Sequence, residues 1–225
     1  MDGTDHDGAA EEPGATVDGR PVGIDDDGTL DRVARYMARE LCAGFRYHDR
    51  GERSAAVESF AEVDRRQFSH VGDDRAERAA RAYVDALWAK DDIENAHAVD
   101  GDPDRDALAA ADWAPVRQPL AERADLLGMD REYATATTRA WREHKAGGDY
   151  WTPMLRAQAI EFRTAVGDDA YPGKPSDGQS GFGPAPVRYL VGVELHDLHE
   201  RRRWAEAERV MQPYYRRILA AHRDG

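Results

Sequence analysis

Apolar side chains recur at spacings of three and four along most of this chain, and glycine cuts the pattern at intervals. That combination allows helices joined by short turns and little else. The segment Ala43–Phe60, AGFRYHDRGERSAAVESF, shows the logic best. It reads as the end of one helix, a turn at Arg50–Gly51 and the start of the next. Gly51 supplies the left-handed residue that ends a helix at little steric cost. Gly44 leaves room for a neighbouring helix, Tyr47 and Phe60 fill the space between the pair, and Ala56 sits where the axes come closest. Weaker echoes lie at Trp141–Phe162 and Gly192–Tyr214. The expected fold is all-α, a stack of antiparallel helical hairpins.

In chain order, Leu30, Val33, Met37, Leu41 and Phe45 form one face of a first helix, capped by Thr29 or Asp31. A second helix runs from about Glu52 to Phe68, with Val57 or Ala56, Phe60 and Val63 inward. A third starts at Asp73 or Asp74 and carries Ala76, Ala80, Tyr83, Leu87 and the adjoining Trp88; Asp91–Ala98 adds a further turn. Pro103 marks the first turn of a short helix through Ala111. Pro115 and Pro119 predict that Trp113–Leu127 is broken or two-part. Asp130 caps a helix bearing Tyr133, Ala136, Ala140, Trp141 and His144, and Gly147–Gly148 ends it. Thr152 as cap and Pro153 in the first turn open a helix with Leu155, Ala159, Phe162 and Val166 on its face. Residues 167–186 read as a Pro/Gly-rich loop. Two last helices follow, one on Val187, Val191, Leu195 and Leu198, the other on Trp204, Ala207, Met211, Tyr214 and Ile218. Pro213 predicts a kink near Arg209. Residues 1–28 are acidic, lack aromatics and show no periodicity, so a disordered tail is expected before a single helical domain over 29–225. No segment alternates with period two, so essentially no sheet is expected.

Composition sets the solvent. The net charge is −13, and of 31 basic residues only Lys90, Lys145 and Lys174 are lysine. Many carboxylates with almost no lysine suit a cytoplasm held at multimolar salt, where screening over about 3 Å at 1 M removes self-repulsion. A GC-rich genome would also favour Arg, Ala, Gly and Asp. The acidity argues against nucleic acid or anionic membrane as partner, and fits a protein partner with a basic surface. The one cysteine, Cys42, lies on the first apolar stripe and reads as a small buried hydrophobe. No apolar run reaches the length of a membrane span, and the acidic N-terminus does not read as a signal peptide, so a cytoplasmic location is expected.

Few residues combine into chemistry. His196 and His199 lie one helical turn apart, the spacing at which two imidazoles share a metal; Glu132 or His144 are the nominees for a third ligand. Against this, the helix is charge-rich on its solvent face. Asp91, Asp92 and Glu94 resemble an aspartate-rich magnesium motif without its second half, or a helix start stabilised by its dipole. Arg65/His70, Arg139/His144 and Arg217/His222 repeat an Arg-x4-His spacing that resembles the RNA-cleaving pair of small helical nucleases. Glycine-rich phosphate loops, GxSxG and CxxC are absent from the sequence.

Two resemblances bear on function. Gly44, Tyr47, Gly51, Ala56 and Phe60 fall at the spacing of the tetratricopeptide pattern, and Trp204, Ala207 and Met211 partly match its second half. These hairpins resemble divergent tetratricopeptide repeats. Separately, AYVDALWAKDD (Ala82–Asp92), DREYATATTRAWREHKAGGDYW (Asp130–Trp151) and GFGPAPVRYLVGVELHD (Gly181–Asp197) resemble the immunity protein 49 family of polymorphic toxin systems. That resemblance implies a helical protein that binds and blocks a toxin without catalysis or cofactor.

The function expected from sequence is therefore a non-enzymatic protein-binding module, an immunity-type inhibitor adapted to high salt. Its contact surface would draw on Trp141, Glu143, Asp149, Tyr150 and Trp151. The competing expectation is a metal-dependent or hydrolytic helical-bundle enzyme using His196, His199 and His144.

Overall fold

The computed structural model describes residues 27–167, 198–199 and 201–224, and the backbone of 16–17 and 20–21. Eight helices stand among them: α1 (Asp27–Asp49), α2 (Arg53–Gln67), α3 (Asp73–Ala96), α4 (Arg105–Ala110), α5 (Ala114–Leu127), α6 (Glu132–Ala146), α7 (Trp151–Val166) and α8 (Trp204–Asp224). The only extended pairing among the described residues is two antiparallel ladders of two residues per strand. These are β1 (Thr16–Val17) with β2 (Arg20–Pro21), and β3 (Ala98–Val99) with β4 (Asp102–Pro103). The fold class is all-α.

The predicted stripes are the buried faces. Leu30, Val33, Met37 and Phe45 of α1 are buried, as are Ala56, Val57, Phe60 and Val63 of α2 and Ala76, Ala80 and Leu87 of α3. Most neighbours in sequence pack on one another, α1 on α2, α2 on α3, α5 on α6 and α6 on α7, while α3 packs on α5 past the short α4. The last helix, α8, then lies along α1. Asp27 and Asp31 fasten that closure, with Arg216 Nε 2.6 Å from Asp31 and Arg223 Nη1 3.3 Å from Asp27.

Several boundaries differ from the sequence reading. Helix α1 starts at Asp27, before the expected Thr29 or Asp31 cap. The turn expected at Asp91–Ala98 is continuous with α3 through Ala96, and Ala98 belongs to a ladder. Pro103 sits in that ladder also, while Asp104 caps α4 by accepting the N–H groups of Asp106 and Ala107. Helix α5 is unbroken across Pro119. Proline there removes one hydrogen bond, a cost of about 3 kcal/mol. Burying Val116, Leu120 and Leu127 returns roughly 1.5–3 kcal/mol each, so the helix survives. Helix α7 begins at Trp151, not at Thr152, and Asp149 supplies the capping oxygen for the Thr152 N–H at 3.3 Å. Helix α8 runs through Pro213 from end to end. The expected loop at 167–186 and the helix on Val187, Val191, Leu195 and Leu198 lie outside the described residues, apart from Gly167, Leu198 and His199, as does most of the tail expected at 1–28.

Candidate functional site

Seven of the eight described helices, all but α4, contribute side chains to one central cavity of about 310 Å3. Its buried end is polar. Arg123 of α5 reaches across to Asp64 of α2 in a two-pronged ion pair, with Nη1–Oδ2 at 2.6 Å and Nη2–Oδ1 at 2.8 Å. Arg123 Nη1 also donates to the Ala79 carbonyl at 3.3 Å, and the guanidinium lies 4.9 Å from the Tyr83 ring centre. A second carboxylate, Glu161 of α7, stands 4.0 Å from Arg123 Nη2 and accepts a hydrogen bond from Gln67 Nε2 at 3.0 Å. Two acids thus share one guanidinium.

Charge in this interior is held by mutual arrangement. Burial opposes the Arg123 charge, but Asp64, Tyr133 and Glu161 outweigh it and raise its pKa well above the usual value. Burial pushes Asp64 up while Arg123 pulls it down, with a net rise. Glu161 also rises: burial leads, Arg123 opposes, and Asp64 adds to it. The phenols around the acids stay neutral. Burial pushes Tyr133 up to about 12 and raises Tyr83, Tyr214 and Tyr215 as well.

The more exposed end carries the scarce lysines. Lys90 of α3 and Lys145 of α6 converge on Glu94, at 3.0 Å from Oε1 and 3.3 Å from Oε2. Lys90 also meets Asp91 at 3.3 Å, and His48 Nε2 lies 3.4 Å from the other oxygen of that carboxylate. Burial lowers the His48 pKa against the pull of Asp91 and Asp49. The expected magnesium triplet is thus engaged through Asp91 and Glu94 by two ammonium groups and an imidazole. Between the two ends the wall is aromatic, with Phe45, Phe60 and Tyr83 in edge-to-face contact at 5.1–6.4 Å. Trp141 lies 6.1 Å from Tyr83.

Four buried polar atoms of lining residues make no hydrogen bond among the described residues: Arg123 Nε, Thr137 Oγ1, His48 Nδ1 and Glu94 Oε1, of which Glu94 Oε1 keeps its ion pair with Lys90 at 3.0 Å. Such atoms are costly, about 1–3 kcal/mol each. Natural cores seldom keep them without a use.

The residues nominated from sequence scatter. Trp141 is buried and faces the cavity. Glu143 is half-buried and accepts from Arg142 at 2.8 Å. Asp149 is a helix cap, and hydrogen bonds from Thr152 lower its pKa. Tyr150 packs edge-on against His144 at 4.8 Å, and Trp151 beside it is 55% exposed. His199 joins the cavity wall, with Nε2 3.5 Å from Asp49 and its ring 4.4 Å from Phe45; His196 lies outside the described residues. Glu132 is paired with Arg156 at 2.7 Å. Among the described residues no group of three or more His, Cys, Asp or Glu is arranged to hold a metal ion. His70 and His222 of the Arg-x4-His pairs donate to the Leu127 and Ala165 carbonyls at 3.2 and 2.7 Å, and so fasten helices together. Cys42 is buried, which pushes its thiol up to about 12. No described helix is long and apolar enough to cross a membrane.

Sequence reasoning missed Asp64, Gln67, Arg123, Thr137 and Glu161. The available signal was polarity on an inward stripe. Asp64 and Gln67 follow Phe60 by four and seven, Arg123 sits between Leu120 and Leu127, and Glu161 follows Met154 by seven. The rarity of lysine pointed to Lys90 and Lys145.

Fold and site define an all-α protein with a charged, aromatic-walled central chamber. Comparison with family models, curated proteins and solved structures finds no match for the chain.

Proposed function

We propose that the protein is a receptor for a small polar molecule held in the central cavity. One observation carries this reading: ionised groups and unmatched hydrogen-bonding atoms gather around a chamber in the middle of the bundle. Asp64, Arg123, Thr137 and Glu161 all line it. An apolar core of the same shape would be as stable or more so. Stability given up at one place is the usual mark of a working site. The volume lies at the small end of ligand pockets, roughly 300–1,000 Å3. The test is a thermal-shift screen of amines, acids, alcohols and nucleosides against the wild type and an Ala157→Phe variant, which fills the cavity from its wall. Compounds that stabilise the wild type alone support the reading. Equal action on both proteins, or no active compound, overturns it.

A second reading keeps the protein-binding role expected from sequence. Its support is Trp151, which at 55% exposure is one of two large apolar side chains left open among the described residues. Tyr150 lies 6.0 Å from it. Trp and Tyr are the usual anchors of protein interfaces, and the net charge of −13 suits a basic partner. If the resemblance to immunity proteins holds, that partner is a toxin. Pull-downs in high salt with wild type and Trp151→Ala address it: a partner retained equally by both removes this surface from consideration. The same charge, with three lysines in the chain, supports a protein that works in concentrated salt.

A further inference from the structure

We infer that the molecule held in the cavity is an organic cation, a protonated amine on a small apolar body, with its ammonium paired to Glu161. This rests on the receptor reading above and specifies the ligand.

The argument is charge accounting inside the chamber. Asp64 and Arg123 satisfy one another in a two-pronged pair. Glu161 is left over. Its contacts are the edge of a guanidinium already committed, at 4.0 Å, and a neutral amide donor from Gln67. At the exposed end, Lys90, Lys145 and Arg202 face Asp49, Asp91 and Glu94, so the formal charges there balance. Glu161, whose side chain is 24% exposed, is the excess negative charge among the described lining residues. A largely buried carboxylate in this position either takes a proton or takes a cation. The neighbouring surface selects the second. Phe45, Phe60, Tyr83, Tyr133, Trp141 and Tyr214 line the space. Aromatic faces attract ammonium groups by about 0.5–2 kcal/mol, most where water is excluded. Arg123 over Tyr83 shows the same chemistry already in use at 4.9 Å. An anion would meet Glu161 and Asp64 without a free guanidinium, and a neutral ligand would leave the excess charge uncompensated.

The groups facing Glu161 set how binding responds to pH. Asp64 stands on α2, Tyr83 on α3, Arg123 on α5, Tyr133 on α6, and Tyr214 and Tyr215 on α8. The tyrosines stay neutral and the Asp64–Arg123 pair is internally matched, so Glu161 is the group whose ionisation changes with an arriving cation. Binding of an amine stabilises its charged form and releases a proton. Amine affinity therefore rises with pH through the raised Glu161 pKa and then levels off.

The experiment uses three probes with a shared ring and chain: 2-phenylethylamine, 2-phenylethanol and 3-phenylpropionate. Calorimetry on the full chain measures each in buffered KCl across pH. The expected result is an amine that binds at least about tenfold more tightly than the alcohol, with no measurable binding of the carboxylate. Glu161→Gln should bring the amine down to about the affinity of the alcohol. Alcohol or carboxylate binding as tight as the amine overturns the cation assignment, as does an amine affinity indifferent to Glu161→Gln or to pH. Silence from all three probes overturns it too. In each of these cases the receptor reading stands or falls separately, on whether the wider screen finds compounds that Ala157→Phe excludes.

Discussion

Gly44 of α1 lies against the ring of Phe60 of α2: a methyl group on Gly44 would stand 2.7 Å from Phe60 Cε1. Phe45 and Tyr83 hold the ring edge-on at 5.2 and 5.1 Å, so the room left to it lies toward the cavity. Phe60 is also part of the cavity wall, so this tight contact between α1 and α2 sets one side of the chamber. Gly44→Ala gains about 1 kcal/mol of helix propensity and loses up to about 3 kcal/mol to overpacking. The expected net loss is about 1–2 kcal/mol by denaturant titration, and adding Phe60→Leu should recover most of it. A neutral or stabilising Gly44→Ala would contradict the contact.

Arg123 should be far more sensitive. Arg123→Met strands the Asp64 carboxylate in the interior, and stranding a buried charge costs about 3–5 kcal/mol. Replacing both partners, Arg123→Met with Asp64→Leu, removes the more deeply buried of the two carboxylates that Arg123 serves. The double variant is expected to melt closer to the wild type than Arg123→Met does. A double variant as unstable as the single one would show that the pair is needed for folding itself.

Glu161 carries the opposite expectation. Its folded pKa is raised above the ordinary 4.5, by burial first. A raised carboxyl contributes stability that is complete below the unfolded pKa and is lost as pH rises through the folded one. At neutral pH the empty protein therefore bears a penalty, which Glu161→Gln removes. The melting temperature at pH 7 should rise in Glu161→Gln. The gain should close as pH falls below about 4.5. A variant less stable than the wild type at pH 7 would sink this expectation.

Acid should act through His222. Burial depresses its pKa below 6.5, and its Nε2 donates to the Ala165 carbonyl. The unfolded chain takes the proton more readily, so the contribution of this group is complete above about pH 6.5 and drains away as pH falls toward the folded value. His48 is shifted in the same direction. Melting temperature is expected to drop from about pH 6.5 downward, and His222→Gln should make that slope shallower. An unchanged slope would remove His222 as a contributor.

Salt is the last lever. With a net charge of −13, self-repulsion is strong at low ionic strength and is screened over about 3 Å at 1 M. Melting temperature is expected to climb as KCl rises from about 0.1 M to above 1 M. A flat or falling profile would leave codon usage as the reason for the acidic, lysine-poor composition.

Helix positions were largely legible because the three-and-four spacing records which side of a helix meets its neighbours. Gly51 and Gly147, at φ +75° and +81°, stand where helices were expected to stop. Pro119 misled because a local cost was read without the burial that offsets it: Val116, Leu120 and Leu127 carry α5 past it. The surface nominated for binding was only partly legible. Trp141 and Trp151 look equivalent in sequence, yet one is 5% exposed and the other 55%, a difference set by which neighbours cover them.

The order of apolar residues and glycines was enough to make this chain helical, to set most helix ends and to choose the inward faces, because those are matters of backbone geometry within a few residues. The ion pair of Asp64 with Arg123 spans 59 positions, and Glu161 lies 38 positions beyond Arg123. Only the packing of seven helices around one space brings those three charges together, and only there does burial turn ordinary side chains into a site.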